Sequence, residues 1–354
     1  MRTSFLLLLL PGLAPGLSVA QAVPRTDTPR GGTLRVTVDP VVYAWDNEFT
    51  PTGRRPIGAS LPATVFVHAE RRVTPLGLEF GITDRIALAA RLPLVRATVR
   101  ERVLHDSLGA GAALDSTLAD TAYAFAPIAN TQRRLRYFPG DAELEAKARF
   151  GSTAAQLVVR LPTGHLDSPH DLFDLSTGDH QTDIEVGVTE ELTVARRLWL
   201  NLSVRATQQR PGTRARRVAP AGTLLAPIAA LATLQWDPGD ALAVDFAPMC
   251  RLGKGGSFAV GVTAAYFTKR RDHYSFRSAA DSVALATRLG APRPASVLDA
   301  GTSERRVRLG AALTFVGRDV EGGLAFEQTV SGAGGWIPSA TVLRIVMRTS
   351  RLPF

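Results

Sequence analysis

One stretch, residues 141–162, restricts the fold of this chain more than any other. With a two-residue turn at Gly151-Ser152, Phe150 faces Thr153 and the flanking segments zip together with a period of two. One face then carries Ala142 opposite Leu161, Leu144 opposite Val159, Ala146 opposite Leu157 and Ala148 opposite Ala155, all apolar. The other face carries Glu143 opposite Arg160, Glu145 opposite Val158, Lys147 opposite Gln156 and Arg149 opposite Ala154, and is largely ionic. Such a hairpin needs a different medium on each side. A soluble sandwich supplies this with a second sheet against the apolar face. A transmembrane barrel supplies it with lipid outside and a polar lumen inside.

Recurrence of the pattern and the address of the chain choose between the two. Arg2, the apolar residues 5–10 and the small-residue site Ala20-Gln21-Ala22 make up an export signal. Residues 1–22 are therefore read as a signal peptide, 23–32 as a periplasmic leader and 33–354 as an outer-membrane β-barrel. No later run reaches the ~18 uninterrupted apolar residues of a spanning helix; residues 224–234 are too short and contain Pro227. The single cysteine, Cys250, cannot form an internal disulfide, so stability has to come from burying the 45% of residues that are apolar. The net charge of +9 is carried almost wholly by Arg. In an exported chain that charge favours phosphate-bearing lipid headgroups over nucleic acid as the partner.

The two-residue period returns along most of the chain. It runs through Leu34, Val36 and Val38; through Leu61, Ala63, Val65, Val67 and Ala69; and through Leu76, Leu78, Phe80 and Ile82. A turn at Thr83-Asp84 leads into Ile86, Leu88, Ala90, Leu92 and Leu94. Ile184, Val186 and Val188 resume it, followed by Leu198, Leu200, Leu202 and Val204, and later by Val307, Leu309, Ala311, Leu313 and Phe315. Further strands are expected within 223–236, 242–246, 258–266, 320–329 and 340–354. Residues 101–140, 164–182 and 270–304 are read as loops, with a short strand at 123–125, and no helix-period segment of useful length stands out.

Short turns alternating with long loops fit an all-β, closed antiparallel transmembrane barrel with short periplasmic turns and long outer loops. Its strand number is 12 or 14, depending on whether residues 283–289 add a strand. The terminal Phe354 is the expected assembly signal, read by the barrel-assembly machinery, although Ser350 and Arg348 break the alternation upstream of it. Leu343, Ile345 and Met347 face lipid in a shifted register.

Gly81-Ile82-Thr83-Asp84-Arg85-Ile86 followed by Leu92-Pro93, and Gly140-Asp141-Ala142-Glu143 followed by Leu161-Pro162-Thr163-Gly164, carry a family resemblance. In these phrases the chain resembles the phenol meta-pathway type of bacterial outer-membrane protein, over roughly residues 75–205. The resemblance implies a barrel that moves small, often apolar, compounds across the outer membrane. It offers no catalytic residues to carry over.

On the barrel reading the inward charges are Arg91, Glu143, Glu145, Lys147, Arg149, Arg160, Asp245, Arg306 and Arg308, joined by Arg344 and Arg348. They form either a basic constriction that favours anions or an internal salt-bridge network headed by Glu143 and Arg160. The loop 164–183 gathers His165, Asp167, His170, Asp171, Asp174, Asp179, His180 and Asp183 in a spacing that fits no calcium or zinc pattern. It is read as a solvated acidic loop, with no metal or cofactor assigned. Ser168 beside His170 and Asp171 is the one local set that tempts toward hydrolysis, and without motif context the chain is read as not an enzyme.

Four clusters are placed to meet lipopolysaccharide phosphates: Arg133-Arg134-Arg136, Arg214-Arg216-Arg217, Lys269-Arg270-Arg271 and Arg305-Arg306-Arg308. Tyr43, Trp45, Phe80, Phe150, Trp199, Trp236, Tyr266 and Trp336 are read mostly as interfacial girdles, and Cys250 as a small packed side chain. The expected protein is a passive channel or uptake pore for small-molecule solutes in the cell outer membrane. The alternative is a barrel with a non-transport role, a rim hydrolase or an envelope structural protein. A soluble periplasmic binding module is disfavoured by Phe354 and the turn asymmetry.

Overall fold

The hairpin over residues 141–162 has the register expected of it, from Ala142 against Leu161 to Phe150 against Thr153. Gly151 occupies the left-handed region at φ 67°, which a two-residue hairpin turn requires and glycine adopts without a Cβ clash. The computed structural model describes residues 25–354 except 51, 60, 105–108, 127–131, 135–136, 220–222, 224, 254–256, 317–319, 350–351 and 354. The export signal and Phe354 lie outside the described residues.

Twelve strands form one closed antiparallel barrel. They are β1 (Thr33–Val38, resuming as Val41–Trp45), β2 (Val65–Thr83), β3 (Ile86–Val103), β4 (Ala142–Phe150), β5 (Thr153–Leu161), β6 (Asp183–Ala195), β7 (Leu198–Gln209), β8 (Ala241–Leu252), β9 (Phe258–Lys269), β10 (Glu304–Val316), β11 (Val320–Ala333) and β12 (Thr341–Thr349). Each pairs with the next. Closure comes from β12 returning to β1, with Thr37 against Arg348 and Val41 against Arg344. Pro40 interrupts β1 because it has no N–H to give the ladder, while its carbonyl still accepts from Ile345 N at 2.9 Å.

The alternative of 14 strands fails at residues 283–289, which belong to a helix, α2 (Ala279–Leu289), capped by Ser278 accepting from Asp281 N. The expected strand near 223–236 exists as Leu231–Asp237, but outside the barrel. It joins Gly212–Arg217 and His273–Phe276 in a three-stranded sheet. That sheet and α2 bury Leu234, Trp236, Tyr274 and Leu285 against one another, so these apolar residues need no lipid. Another helix, α1 (Ala110–Ala119), occupies the loop after β3, where no helix was expected, and residues 123–125 are turn and coil. Leu114 and Leu118, one turn apart, are its buried anchors. At the β2–β3 turn a register shift moves the tight turn one residue on, to Asp84-Arg85, and Thr83 Oγ1 accepts from Arg85 N and Ile86 N.

β2 and β3 also correct the expectation of an ionic interior throughout. β2 has 19 residues, about 60 Å at the usual rise, roughly twice what a spanning strand needs. Toward the turn, Leu76, Leu78, Phe80 and Ile82 face outward and are exposed. Farther up the same strand Val65, Val67, Ala69 and Val73 face inward and are buried, and His68, Glu70 and Arg72 take the outer face. The upper half rises clear of the bilayer, and water outside with packed loops inside reverses which face is apolar.

Candidate lumen site

Within the membrane belt the lumen is an interlocked set of charges. Arg160 is almost fully buried and reaches Glu143 at 3.0 Å, Glu185 at 2.8 Å and Asp183 at 3.7 Å. Arg91 holds Glu145 at 2.5 Å and Glu143 at 3.6 Å. Around the wall Arg205 pairs with Asp245 at 2.6 Å, Arg35 with Glu79 at 3.1 Å, Arg308 with Glu327 at 3.7 Å, and Arg306 with Glu304. Arg344 and Arg348 alternate with the buried Val342 and Val346 and so also face in. Arg149 lies at the end of β4, exposed, with Nε donating to Gly151 O at 3.0 Å. Glu79, Glu321 and Glu327 were missed in the sequence although each holds an inward position of its strand; counting phase from Asp245 or Arg306 across the neighbouring strands finds them.

The mouth at the short-turn end contains part of the chain's own leader. Arg25 meets Glu191 at 2.9 Å and Glu321 at 2.5 Å, and Asp27 meets Arg35 at 2.8 Å and Arg348 at 3.6 Å. Lys147 Nζ donates to Arg25 O at 2.9 Å. Burial opposes ionisation of Asp27, yet Arg348, Arg35 and Arg25 outweigh it and hold its carboxyl far below the usual range. A Cβ on Gly81 would come within 2.2 Å of Arg30 O, so only glycine lets the leader cross the inner face of β2. Nothing periodic marks this segment, and sequence gave no signal for it.

Beside the leader a cavity of about 410 Å³ remains, lined by Arg25, Arg149, Glu191, Trp199, Asn201, Met249 and Arg251 among others. The long-loop mouth is filled instead. Leu114 and Leu118 of α1, Phe125, Phe173 and Leu175 pack on the inward Val65, Val67, Val95 and Val99. Asp141 ties the 164–182 loop down by accepting from Gly164 N at 2.8 Å and Asp179 N at 2.9 Å, and Arg71 Nη2 donates to Thr177 O at 3.2 Å. Burial, with the carboxylates of Asp183 and Asp141 adding to it, pushes the Asp179 carboxyl well up.

That loop is a structural tie rather than a solvated acidic one. Asp167 takes Arg214 and Arg216, the latter at 2.7 Å; burial opposes its ionisation, but the two guanidinium groups hold its carboxyl well below the usual range. Arg217 lies over the Phe125 ring at 3.7 Å and donates to the carbonyls of Pro169 and Ala226. The 214–217 cluster is thus consumed inside the molecule, and Lys269 pairs with Asp272 at 2.6 Å. Among the described residues no three His, Cys, Asp or Glu side chains converge on a metal-sized site. Ser168 Oγ accepts from His170 N, His170 Nδ1 faces Ala124 O, and Asp171 Oδ1 accepts from Phe173 N, so the three close a turn and do not align as a triad.

The outside of the barrel carries Leu76, Leu88, Leu144, Leu157, Val188, Val204, Val262, Leu309, Leu324 and Met347, all exposed, in one circumferential belt. A soluble protein does not present such a surface to water. The chain is an outer-membrane β-barrel. Phe80, Phe150 and Tyr266 are exposed on its outer face, as expected of a girdle, whereas Tyr43, Trp45, Trp236 and Trp336 are buried and Trp199 turns inward. Cys250 is exposed on the outer face of β8 rather than packed.

No protein-family model and no curated protein matches the sequence. Among solved structures, the COG4313 outer membrane channel from Pseudomonas putida F1 is similar, with a TM-score of 0.58 at 10% identity, over 95% of this chain and 99% of that one. A Pseudomonas aeruginosa FadL homologue (TM-score 0.36, 9% identity, 89% of this chain and 89% of that one) and the deltaS2S3 mutant of the TodX monoaromatic hydrocarbon channel (TM-score 0.39, 10% identity, 92% of this chain and 91% of that one) are more distant. The likeness to the COG4313 channel shows a shared barrel fold.

Proposed function

We propose that this barrel is a passive conduit for small solutes across the outer membrane, with its short-turn end in the periplasm. The observation that carries the reading is how that end is closed. The leader, and not the wall alone, narrows the mouth, held by ion pairs beside an open cavity of about 410 Å³. The fold shared over nearly its whole length with a solved outer-membrane channel supports the same reading. In this mechanism, displacement of the leader widens the periplasmic mouth, rearrangement of the 164–182 loop opens the outer one, and the ionic wall sets which solutes pass. Inward charges are nearly all paired with opposite charges, which favours polar selection by local geometry over a simple basic ring. Planar-bilayer recording of the refolded protein tests this. Discrete conductance steps are expected, larger or more frequent when residues 23–31 are deleted; silence in both forms at every voltage refutes it.

A further inference from the structure

The cavity beside the leader is chemically uneven. Arg25 is spent on Glu191 and Glu321, and Glu191 also accepts from Thr26 N at 3.2 Å. Arg149 and Arg251 are exposed at the cavity rim, and among the described residues no carboxylate ion-pairs with either. Arg251 sits 5.1 Å from the centre of the Trp199 ring. Asn201 is fully buried: its Nδ2 donates to Ala247 O at 3.4 Å, while among the described residues Oδ1 has no hydrogen-bond partner. Met249 and Ala259, both buried, complete an apolar floor.

Each of these groups asks for a different part of one ligand. Two guanidinium groups without a carboxylate partner among the described residues call for a negative charge, and their remaining planar donors suit a carboxylate. The indole with the methionine calls for a flat apolar body, which stacks well under an arginine already placed on the ring. The orphaned carbonyl of Asn201 calls for a hydroxyl or amino donor, because a buried acceptor left unpaired is costly. A volume of about 410 Å³ lies within the usual range for small-molecule sites.

We propose that this vestibule is a binding site for a small, flat organic monoanion bearing a hydroxyl or amino donor remote from its charge. Its carboxylate meets Arg149 and Arg251, its ring lies against Trp199, and its donor reaches Asn201 Oδ1. The proposal deepens the conduit reading by naming a solute class. Its test measures binding alone, so failure to bind and failure to conduct are separate results.

The probe is 4-hydroxybenzoate, titrated calorimetrically into the mature protein in detergent, with folding of every variant checked by heat-modifiable gel migration. Saturable binding to the unaltered protein is expected, and weakening by tenfold or more in Arg149→Gln/Arg251→Gln. Asn201→Ala is expected to lose the preference for 4-hydroxybenzoate over benzoate. Because Arg149 and Arg251 are exposed, their variants keep the test decisive even if Asn201→Ala does not fold. Equal affinity for 4-hydroxybenzyl alcohol or for inorganic phosphate, no saturable binding, or an unaffected arginine double variant overturns the site. A preference that survives in folded Asn201→Ala overturns the donor assignment.

Discussion

If ion pairs seat the leader, then Arg25→Ala/Asp27→Ala unseats it by a calculable factor. The double substitution removes four pairs: Arg25 with Glu191 and Glu321, and Asp27 with Arg35 and Arg348. Their side chains retain between 5% and 25% of their exposure, so they are screened only in part. At roughly 0.5–1 kcal/mol each, the loss is about 2–4 kcal/mol, a shift of about thirty- to about a thousand-fold toward the released state at ~1.4 kcal/mol per tenfold. Thr26, 1% exposed between the two substituted residues, is the natural reporter. In a Cys250→Ser background, Thr26→Cys reacts with a bulky maleimide only when the leader is out. The labelling rate is then proportional to the released fraction while reseating is faster than reaction. The double variant should label faster by the factor given above, and high salt should accelerate the parent protein in the same direction. A rate within about threefold of the parent would refute the ionic seating.

Two further outcomes test the interior and the outer loops. Arg160→Leu takes the shared cation from three buried carboxylates, Glu143, Asp183 and Glu185, leaving Glu143 only the longer pair with Arg91; it should cost about 3–5 kcal/mol in urea unfolding from vesicles, most of it restored by adding Glu143→Gln and Glu185→Gln, and a loss under about 1 kcal/mol would show the network to be dispensable. Glu48, in a short strand (Asn47–Thr50) between β1 and β2, is 2% exposed, and burial pushes its carboxyl up to about 7, with Arg55 pulling the other way. Because the folded value exceeds the ordinary one, the folded form holds the extra proton between the two; stability is greatest below about 4.5 and falls, by up to about 3 kcal/mol, as pH rises to about 7. Hydrogen exchange at Asn47–Thr50, corrected for its intrinsic pH dependence, should follow that fall and lose it in Glu48→Gln.

The parts of the fold that were legible in sequence are those fixed by period alone. Glu143 and Arg160 could be paired because a two-residue turn leaves one register, and Leu343, Ile345 and Met347 share a face whatever lies outside it. Period does not say which medium a face meets. Val65, Val67 and Ala69 therefore read like Leu76 and Leu78, although the first set faces packed loops and the second faces lipid. Aromatic residues misled for the same reason: Tyr43 and Trp45 are in phase with Arg35, not with Val36, so they point inward. The leader and the two helices were hidden because their placement depends on distant partners, Glu191 and Glu321 for Arg25, and the barrel mouth for Leu114 and Leu118.

The change of medium partway along β2 has a consequence for how this protein can vary. Below Thr74 a new charge should be tolerated at odd-numbered positions and damaging at even ones; above it, the native Arg71 apart, the preference should invert within a single uninterrupted strand. Deep substitution scanning of residues 65–83 would trace that inversion as a half-period slip in fitness, and its midpoint would mark the height of the lipid headgroups without any membrane being imaged.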